Sequence, residues 1–445
     1  MLTALAAAPP SAQAQPVATA FNIPVQYQKL PNGLKVVLSP DKTAPTATVA
    51  VYYGVGLRNE PRNRTGFAHL FEHMMFQGSE NLGKNEFIGL VQSNGGTLNG
   101  STRFDFTNYF EIVPANTLRP MLWAEADRMR GLAIDQSNLT NQQGVVKSEV
   151  RVNVLNQPYG GFPWLDLPQY ANTNWYNSHN FYGDLAELDA ATLEDVRAFH
   201  KTFYAPNNAV LVVVGDFEAG PTLAMVKEYF GNITSAPQPA MPDLSEPRQD
   251  KEKQVKKPDA KANRPALAFA YHMPDRNTPE YYAMGLIDQI LLQGNDSRLR
   301  EALVKKAGLT GGVNGGINLL GNMFNYSGPM LWTVSLFHDK DVSHSRIMAA
   351  ADSVIEGLRT ANVDRATLDK ARVKLRSEFY DTVASGFGRA DLLASFAMFD
   401  DDPARINRIE AGFNRVTPEI IRKTATEYLR PGNRTVLAIE PGAAQ

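Results

Sequence analysis

Short apolar runs and alternating apolar and polar positions predict a mixed order of strands and helices along the N-terminal half of the chain. Compact apolar runs beside turn residues indicate strands, whereas apolar positions three and four residues apart indicate helices. The turn Pro31-Asn32-Gly33 predicts a hairpin, because Asn-Gly between two apolar runs favours a tight turn. Predicted strands cover residues 26–30, 34–39, 46–55, 98–104, 107–113 and 209–214, and predicted helices lie within residues 66–78, 84–93, 114–129, 136–155, 192–203 and 220–230.

The second half of the chain repeats the pattern of the first. Thr192 and Pro206 recur as Thr417 and Pro431, at one constant offset and in similar surroundings. Such a repeat indicates one fold used twice. Between the copies, a proline-rich and then charged stretch indicates a linker, part of which fits an edge strand. We therefore predict a signal peptide or disordered tail at 1–20, homologous domains at 21–235 and 263–445, and a linker at 236–262.

Composition excludes several classes of function. The chain has 445 residues, no cysteine and a formal net charge of −2. Disulfides, thiolate metal sites and cysteine nucleophiles are therefore excluded, and we expect no nucleic-acid partner. No apolar run reaches membrane-spanning length. Ala12-Gln13-Ala14 fits the cleavage pattern of a secretory signal, which predicts export to a bacterial periplasm, with a cytoplasmic location as the alternative.

The segment from Gly66 to Gly78 carries the strongest chemical signal, because it contains His69, Glu72 and His73. Residues four apart share one face of a helix, so the two imidazoles converge and Glu72 projects beside them. Catalytic zinc takes three protein ligands and a water, and a nearby carboxylate accepts the proton of that water. The segment therefore predicts a zinc site with an attached base, and the alternative is a chance meeting of surface histidines.

The second copy lacks this chemistry. The helix predicted at 281–292 keeps the apolar positions, but Gly285, Asp288 and Gln289 stand at the places of the three motif residues. These three side chains cannot form the same metal site. Loss of the motif in one copy and its retention in the other favour a chemical role over a packing role.

Two glutamates on later helices are candidates for the third zinc ligand. Glu125 and Glu149 each lie on an apolar helical stripe, where a carboxylate needs a partner. Periodicity does not choose between them, and a solvated or salt-bridged glutamate is the alternative for either. The aromatic, Gly- and Pro-rich stretch 159–182 is a further open case, because it fits either a substrate-contacting loop or a packed surface excursion.

The motif and the duplication together resemble the M16 peptidases, inverted zincins that include processing peptidases and insulin-degrading enzymes. The resemblance covers roughly residues 22–442 and includes the segment 199–216. It implies an α+β fold of two α/β-roll domains, each an antiparallel-rich sheet packed with helices, in the LuxS/MPP-like metallohydrolase architecture. In the family the third ligand follows the second histidine at a characteristic spacing along the chain, and that spacing selects Glu149 here.

The resemblance also implies a function, that of a zinc endopeptidase that cleaves unfolded peptides inside a chamber. One zinc per chain is expected at His69, His73 and Glu149, with Glu72 as general base. The family's substrate-pairing edge strand is similar to the segment around Asn99, and we assign substrate contact to three of its residues. A free edge holds an extended peptide through main-chain hydrogen bonds, although an ordinary hairpin is the alternative. The three are Asn99, Gly100 and Ser101.

One family feature is missing. Single-chain members carry an Arg and a Tyr in the second half that bind the substrate carbonyl, but no arginine occurs between Arg300 and Arg346, although Tyr326 does. The chain is similar to shorter members that assemble from two chains. We therefore expect a related chain that lacks the zinc motif as partner, in preference to a second copy of this one. The alternative function is a non-catalytic structural or peptide-binding subunit of such a complex.

Overall fold

The computed structural model describes residues 21–442, so the predicted signal peptide or tail lies outside the described residues. In this part of the chain two sheets contain all the named strands. The strands are β1 (Gln26–Lys29), β2 (Lys35–Pro40), β3 (Thr46–Tyr53), β4 (Thr97–Thr102), β5 (Thr107–Pro114), β6 (Ala209–Gly215), β7 (Lys253–Asp259), β8 (Ala266–His272), β9 (Asn314–Ile317), β10 (Leu331–Phe337) and β11 (Arg434–Pro441).

Helices pack against both sheets, close to the positions that the apolar periodicity predicts. The helix predicted at 136–155 is an α-helix that continues into a π-helical turn, Arg151–Leu155. The helices are α1 (Phe67–Met74), α2 (Glu86–Ser93), α3 (Leu118–Arg130), α4 (Gln136–Val150), α5 (Asp166–Ala171), α6 (Trp175–Ser178), α7 (Leu185–Ala190), α8 (Leu193–Phe203), α9 (Ala219–Phe230), α10 (Pro279–Leu291), α11 (Arg298–Arg300), α12 (His344–Thr360), α13 (Arg365–Ala384), α14 (Gly386–Phe399), α15 (Ile409–Asn414) and α16 (Pro418–Tyr428).

The two sheets share one topology. The first has the order β1-β2-β6-β3-β5-β4, and the second has the order β7-β11-β8-β10-β9. In each sheet one pair is parallel, β2 with β6 and β7 with β11, and the other pairs are antiparallel. Without β1 the two orders correspond strand for strand. The predicted fold of two antiparallel-rich α+β halves is therefore confirmed.

Hydrogen bonds repeat along with the strands. The side-chain amide of Asn208 donates to the carbonyl oxygen of Phe203 at 2.9 Å, and that of Asn433 donates to Tyr428 at 2.8 Å. Each amide therefore closes the end of the preceding helix onto the following strand. The two asparagines are separated by the same offset as Thr192 and Thr417, so the sequence repeat corresponds to a structural one.

The halves exchange helices across their interface. Helix α5 packs on the second sheet, where Leu167 and Ala171 join a buried cluster with Ala268 and Leu437. Helix α5 lies within the stretch 159–182, so part of that stretch packs between the halves. For α5, packing is the interpretation that the structure supports, because Leu167 and Ala171 are buried against the second sheet.

Helix α14 of the second half packs in return on the first sheet. Phe387 stacks on Phe110 with ring centroids 3.9 Å apart, and the Tyr52 hydroxyl donates to Asp391 at 3.0 Å. Each half therefore contributes a helix to the core of the other.

The predicted linker contains a strand, as its composition allowed. Strand β7 lies at the edge of the second sheet and pairs in parallel with β11. The boundaries of the linker at 236–262 stay a prediction. Among residues 21–442, no helix combines the length and the apolar character needed to cross a membrane.

A histidine beneath α1 predicts a loss of stability in mild acid. Burial lowers the pKa of His200 to about 4, and the ring lies nearly parallel to those of Phe71 and Tyr204, at centroid distances of 6.1 and 5.5 Å. The unfolded chain binds this proton near pH 6.5, so stability is complete above pH 6.5 and falls as the pH drops toward 4. The full loss from this residue is about 3 kcal/mol. Urea unfolding of the His200→Phe variant, which keeps a stacked ring, should show a correspondingly smaller loss between pH 7 and pH 4.5. An identical pH dependence in the two proteins would contradict this assignment.

Candidate metal centre and active site

A buried carboxylate fixes the start of helix α1. Glu60 accepts hydrogen bonds from the backbone N–H groups of Gly66 and Ala68, at 2.9 and 2.8 Å. His179 Nε2 lies 3.3 Å from the same carboxylate. Because the first N–H groups of a helix have no partner within the helix, a carboxylate there satisfies them and interacts favourably with the helix dipole. The helix that carries the motif is therefore held by contacts outside it.

The structure brings the three predicted zinc ligands together. His69 Nε2 lies 3.6 Å from Glu149 Oε1, and His73 Nε2 lies 3.1 Å from Glu149 Oε2. One ligand atom from each residue lies within 4.8 Å of the others, and this is the sole such group of three in the described part of the chain. Helix α1 supplies the histidines and α4 supplies the glutamate.

The donor set fits zinc. Burial lowers the pKa of His69 to about 4, so its imidazole is neutral near pH 7, as a metal ligand must be. The hydrogen bond with His73 lowers the pKa of Glu149, which keeps that carboxylate charged. Two imidazoles and one carboxylate are a ligand set that catalytic zinc uses with a water in the fourth position.

Glu72 lies beside this group, in contact with the edge strand. The Thr102 hydroxyl donates a 2.7 Å hydrogen bond to Glu72 Oε2. A Cβ atom on Gly100 would lie 3.3 Å from Glu72 Cγ, so glycine at this position lets the strand approach the carboxylate. Burial raises the pKa of Glu72, and the Thr102 bond opposes this shift. A raised pKa brings a carboxylate closer to the value that suits a general base near neutral pH.

Glu125, the other candidate ligand, has a different partner. It is fully buried and forms an ion pair with Arg128, whose Nε lies 2.9 Å from Glu125 Oε2. Arg128 in turn lies 4.0 Å from the ring centroid of Phe87. The salt-bridged alternative therefore describes Glu125, which is not part of the group around His69.

The predicted substrate-contacting residues lie on an edge strand. Strand β4 pairs with β5 on one side and ends the first sheet on the other. Asn99 is exposed, and its side chain accepts a 2.8 Å hydrogen bond from the backbone of Gly100. The Ser101 hydroxyl donates a hydrogen bond to the side chain of Asn108. The arrangement leaves a free edge next to Glu72.

The second copy of the site is a cavity held by hydrogen bonds. Asp288 accepts bonds from Trp332 at 2.7 Å and from Gln293 at 3.0 Å, and Gln289 donates to Glu378 at 2.8 Å. Asp288, Gln289, Gln293 and Glu378 line a cavity of about 470 Å³. Gly285 and the amide of Gln289 thus stand where the first copy has its two imidazoles.

Tyr326, the tyrosine noted in the second half, is buried. Its side chain is 1 % exposed and packs near Tyr281, with ring centroids 6.5 Å apart. In this position Tyr326 does not present a hydroxyl to a substrate. Tyr326 therefore does not complete the half-site that lacks an arginine.

Sequence reasoning missed three residues around the site: Glu60, His179 and Tyr182. Glu60 and His179 hold α1 through contacts with no periodic signal. The Tyr182 ring meets His69 edge-on at a centroid distance of 5.0 Å. Burial raises the pKa of Tyr182 to about 12, with further contributions from the charges of Glu149 and Glu72. The only sequence signal was the aromatic content of the stretch 159–182.

The fold and the His–Glu group define a duplicated metallohydrolase architecture with one metal-competent half, and comparison with known families agrees. Residues 35–159 match the family described as Insulinase (Peptidase family M16), and residues 190–375 match the Peptidase M16 inactive domain. The two matches together cover more than two thirds of the chain. The chain belongs to the M16 family.

Individual relatives extend over nearly the whole chain. The zinc protease PqqE of Helicobacter pylori is 26% identical over 423 residues, which cover 93% of this chain and 92% of that protein. The crystal structure of a protease from Helicobacter pylori superposes with a TM-score of 0.85 at 25% identity, over 95% of this chain and all of that one. The periplasmic protease PqqL from Escherichia coli has the same fold, with a TM-score of 0.75 at 17% identity, over 95% of this chain and 48% of that one.

Proposed function

We propose that the chain is a zinc-dependent endopeptidase that cleaves unfolded peptides. The observation that carries the proposal is the convergence of His69, His73 and Glu149 beside Glu72. The zinc proteases among the relatives support it. A purely structural half has no need for a base beside a metal-ligand set, and the described residues of the second copy contain no such ligand set.

Each residue of the site has a separate task in this proposal. His69, His73 and Glu149 would hold one zinc per chain, and zinc there would supply Lewis acidity that lowers the pKa of a water and polarises the scissile carbonyl. Glu72 accepts the proton of the attacking water and returns it to the departing amine. Thr102 holds the Glu72 carboxylate in position through its hydrogen bond.

The free edge of β4 would bind the substrate. An extended peptide forms main-chain hydrogen bonds with an unpaired strand, which requires an unfolded segment and reads little of its sequence. Asn99, Gly100 and Ser101 would line the peptide on this edge. Because Gly100 lies against Glu72, a peptide paired there brings its backbone to the base.

The proposal also covers the domains of the chain, its partner and its location. We infer two M16 domains at 21–235 and 263–445, which form half of a chamber, and a related chain that supplies the missing arginine and tyrosine for full activity. A location in the periplasm is supported by the Ala12-Gln13-Ala14 pattern and by the periplasmic protease PqqL among proteins of this fold.

A cleavage assay tests the function and separates it from the alternatives. The purified chain is incubated with zinc and a quenched unfolded peptide, alone and with a co-expressed M16 chain that lacks the motif. Activity that rises on addition of the second chain supports the two-chain enzyme, and full activity alone would refute the need for a partner. A chain that binds the peptide without cutting it in either setting would instead be a non-catalytic subunit.

A further inference from the structure

The loop that carries Tyr182 is held against the start of helix α1. Gly183 and Gly66 both have positive φ, 70° and 83°, and their backbones meet closely. A Cβ on Gly66 would lie 2.6 Å from the carbonyl oxygen of Tyr182, so the contact requires glycine. The backbone N–H of Asp184 donates to Thr65 Oγ1 at 2.8 Å. The position of Tyr182 is therefore set by the same helix that carries the histidines.

The ring of Tyr182 is packed, but its hydroxyl has no structural partner. The ring lies edge-on to His69 at 5.0 Å and contacts Phe181 and Trp164 at centroid distances of 5.3 and 6.0 Å. The residue is 9 % exposed, and its hydroxyl forms no hydrogen bond to the described residues and is not among their fully enclosed polar atoms. A phenylalanine would make the same ring contacts. Because the hydroxyl is not enclosed, it is open to solvent on the side of the residue that packs beside His69, and it is accessible there to a bound peptide.

We propose that Tyr182 is a catalytic residue, whose hydroxyl donates a hydrogen bond to the scissile carbonyl oxygen of the bound peptide. This inference rests on the proposed peptidase function. When water adds to the carbonyl carbon, a carbon–oxygen bond forms and the π pair moves onto the carbonyl oxygen. The phenol keeps its proton and stabilises the charge that develops on that oxygen, while Glu72 holds the proton of the water.

The place of the phenol ring beside His69 supports this role. The carbonyl oxygen of the substrate and the attacking water must both lie near the three zinc ligands. The phenol ring of Tyr182 packs against His69, and the charges of Glu149 and Glu72 act on its hydroxyl. A donor there is held before the substrate arrives, which is the condition under which a hydrogen bond favours the transition state over the ground state. Tyr182 would thus provide within this chain a contact that its second half lacks, and we expect measurable cleavage by the chain alone.

The Tyr182→Phe variant tests the role, because it removes the hydroxyl and keeps the ring. We expect kcat for a quenched peptide to fall by about 10²-fold, with KM changed less than about threefold. Zinc content and the urea unfolding midpoint should match the wild type. The control is Tyr176→Phe, because the Tyr176 ring packs on Trp175 and not on His69 or His73, and its kinetics should not change.

A second measurement separates catalysis from positioning. A peptide phosphonate, which mimics the tetrahedral charge, should bind the Tyr182→Phe variant more weakly by the same factor as the fall in kcat/KM, whereas a product peptide should bind equally well. Unchanged kcat, or a loss confined to zinc content or KM, would overturn the proposal. If the wild type cleaves no peptide at all, the peptidase function itself fails, and the role of Tyr182 fails with it.

Discussion

Replacement of Glu72 by glutamine is expected to lower kcat by at least about 10²-fold, because it removes the general base from the site. The amide has nearly the same shape as the carboxylate, and its oxygen still accepts the Thr102 hydrogen bond seen at 2.7 Å. The ligands His69, His73 and Glu149 are untouched, so zinc content should remain that of the wild type. Initial rates on the quenched peptide and metal analysis of the same sample measure both quantities.

The exposed Glu80 provides a matched control for this change. Glu80→Gln removes the same charge from the same half without touching the site, and its rates should equal those of the wild type. Wild-type turnover in Glu72→Gln would remove Glu72 from the mechanism. Loss of zinc in that variant would mean that Glu72 acts on the metal site rather than on the proton.

The second large effect is expected from His69→Ala, which should abolish stable zinc binding. Loss of an outer partner of a ligand already weakens metal affinity by about 10- to 100-fold, so removal of a ligand should weaken it by more than about 100-fold. His69 lies on the buried face with Nε2 3.6 Å from Glu149, and alanine leaves two of the three donors. Zinc per chain after dialysis should fall below a tenth of the wild-type value.

A histidine outside the site serves as the control for the ligand test. His344 is the first residue of α12 and lies in the other half, near His338. His344→Ala should keep its zinc. Stoichiometric zinc in His69→Ala, with an unchanged circular dichroism spectrum, would show that the metal is held elsewhere.

The zinc motif on α1 and the neighbouring strand β4 could be predicted from the sequence, because both have local sequence signals. Spacing along one helix already placed His69 and His73 on a common face, and the strand predicted at 98–104 included Gly100. Glu149 was harder. Its periodicity matched that of Glu125, and the difference lies in the ion pair that Glu125 forms with Arg128. The spacing of three residues on one helix was visible in the sequence, but the burial of the pair was not. The spacing known for the family made the choice.

Long-range contacts explain what the sequence did not provide. Glu60 caps α1 from outside it, and Tyr182 reaches His69 through a loop that is distant in the chain. The Tyr182 contact depends on how distant segments meet, whereas the Glu60 contacts are short-range but follow no periodic pattern. The stretch 159–182 was ambiguous for the same reason, since the packing of α5 on the second sheet requires the other half of the chain to be present.

A zinc titration of the metal-stripped chain tests the central claim most directly, with cleavage of an unfolded peptide followed by mass spectrometry. Our account predicts cleavage that rises in proportion to added zinc and levels off at one zinc per chain, above a Glu72→Gln background that stays flat. Cleavage that persists at full strength without metal, or no cleavage above that background at any zinc loading, would contradict it.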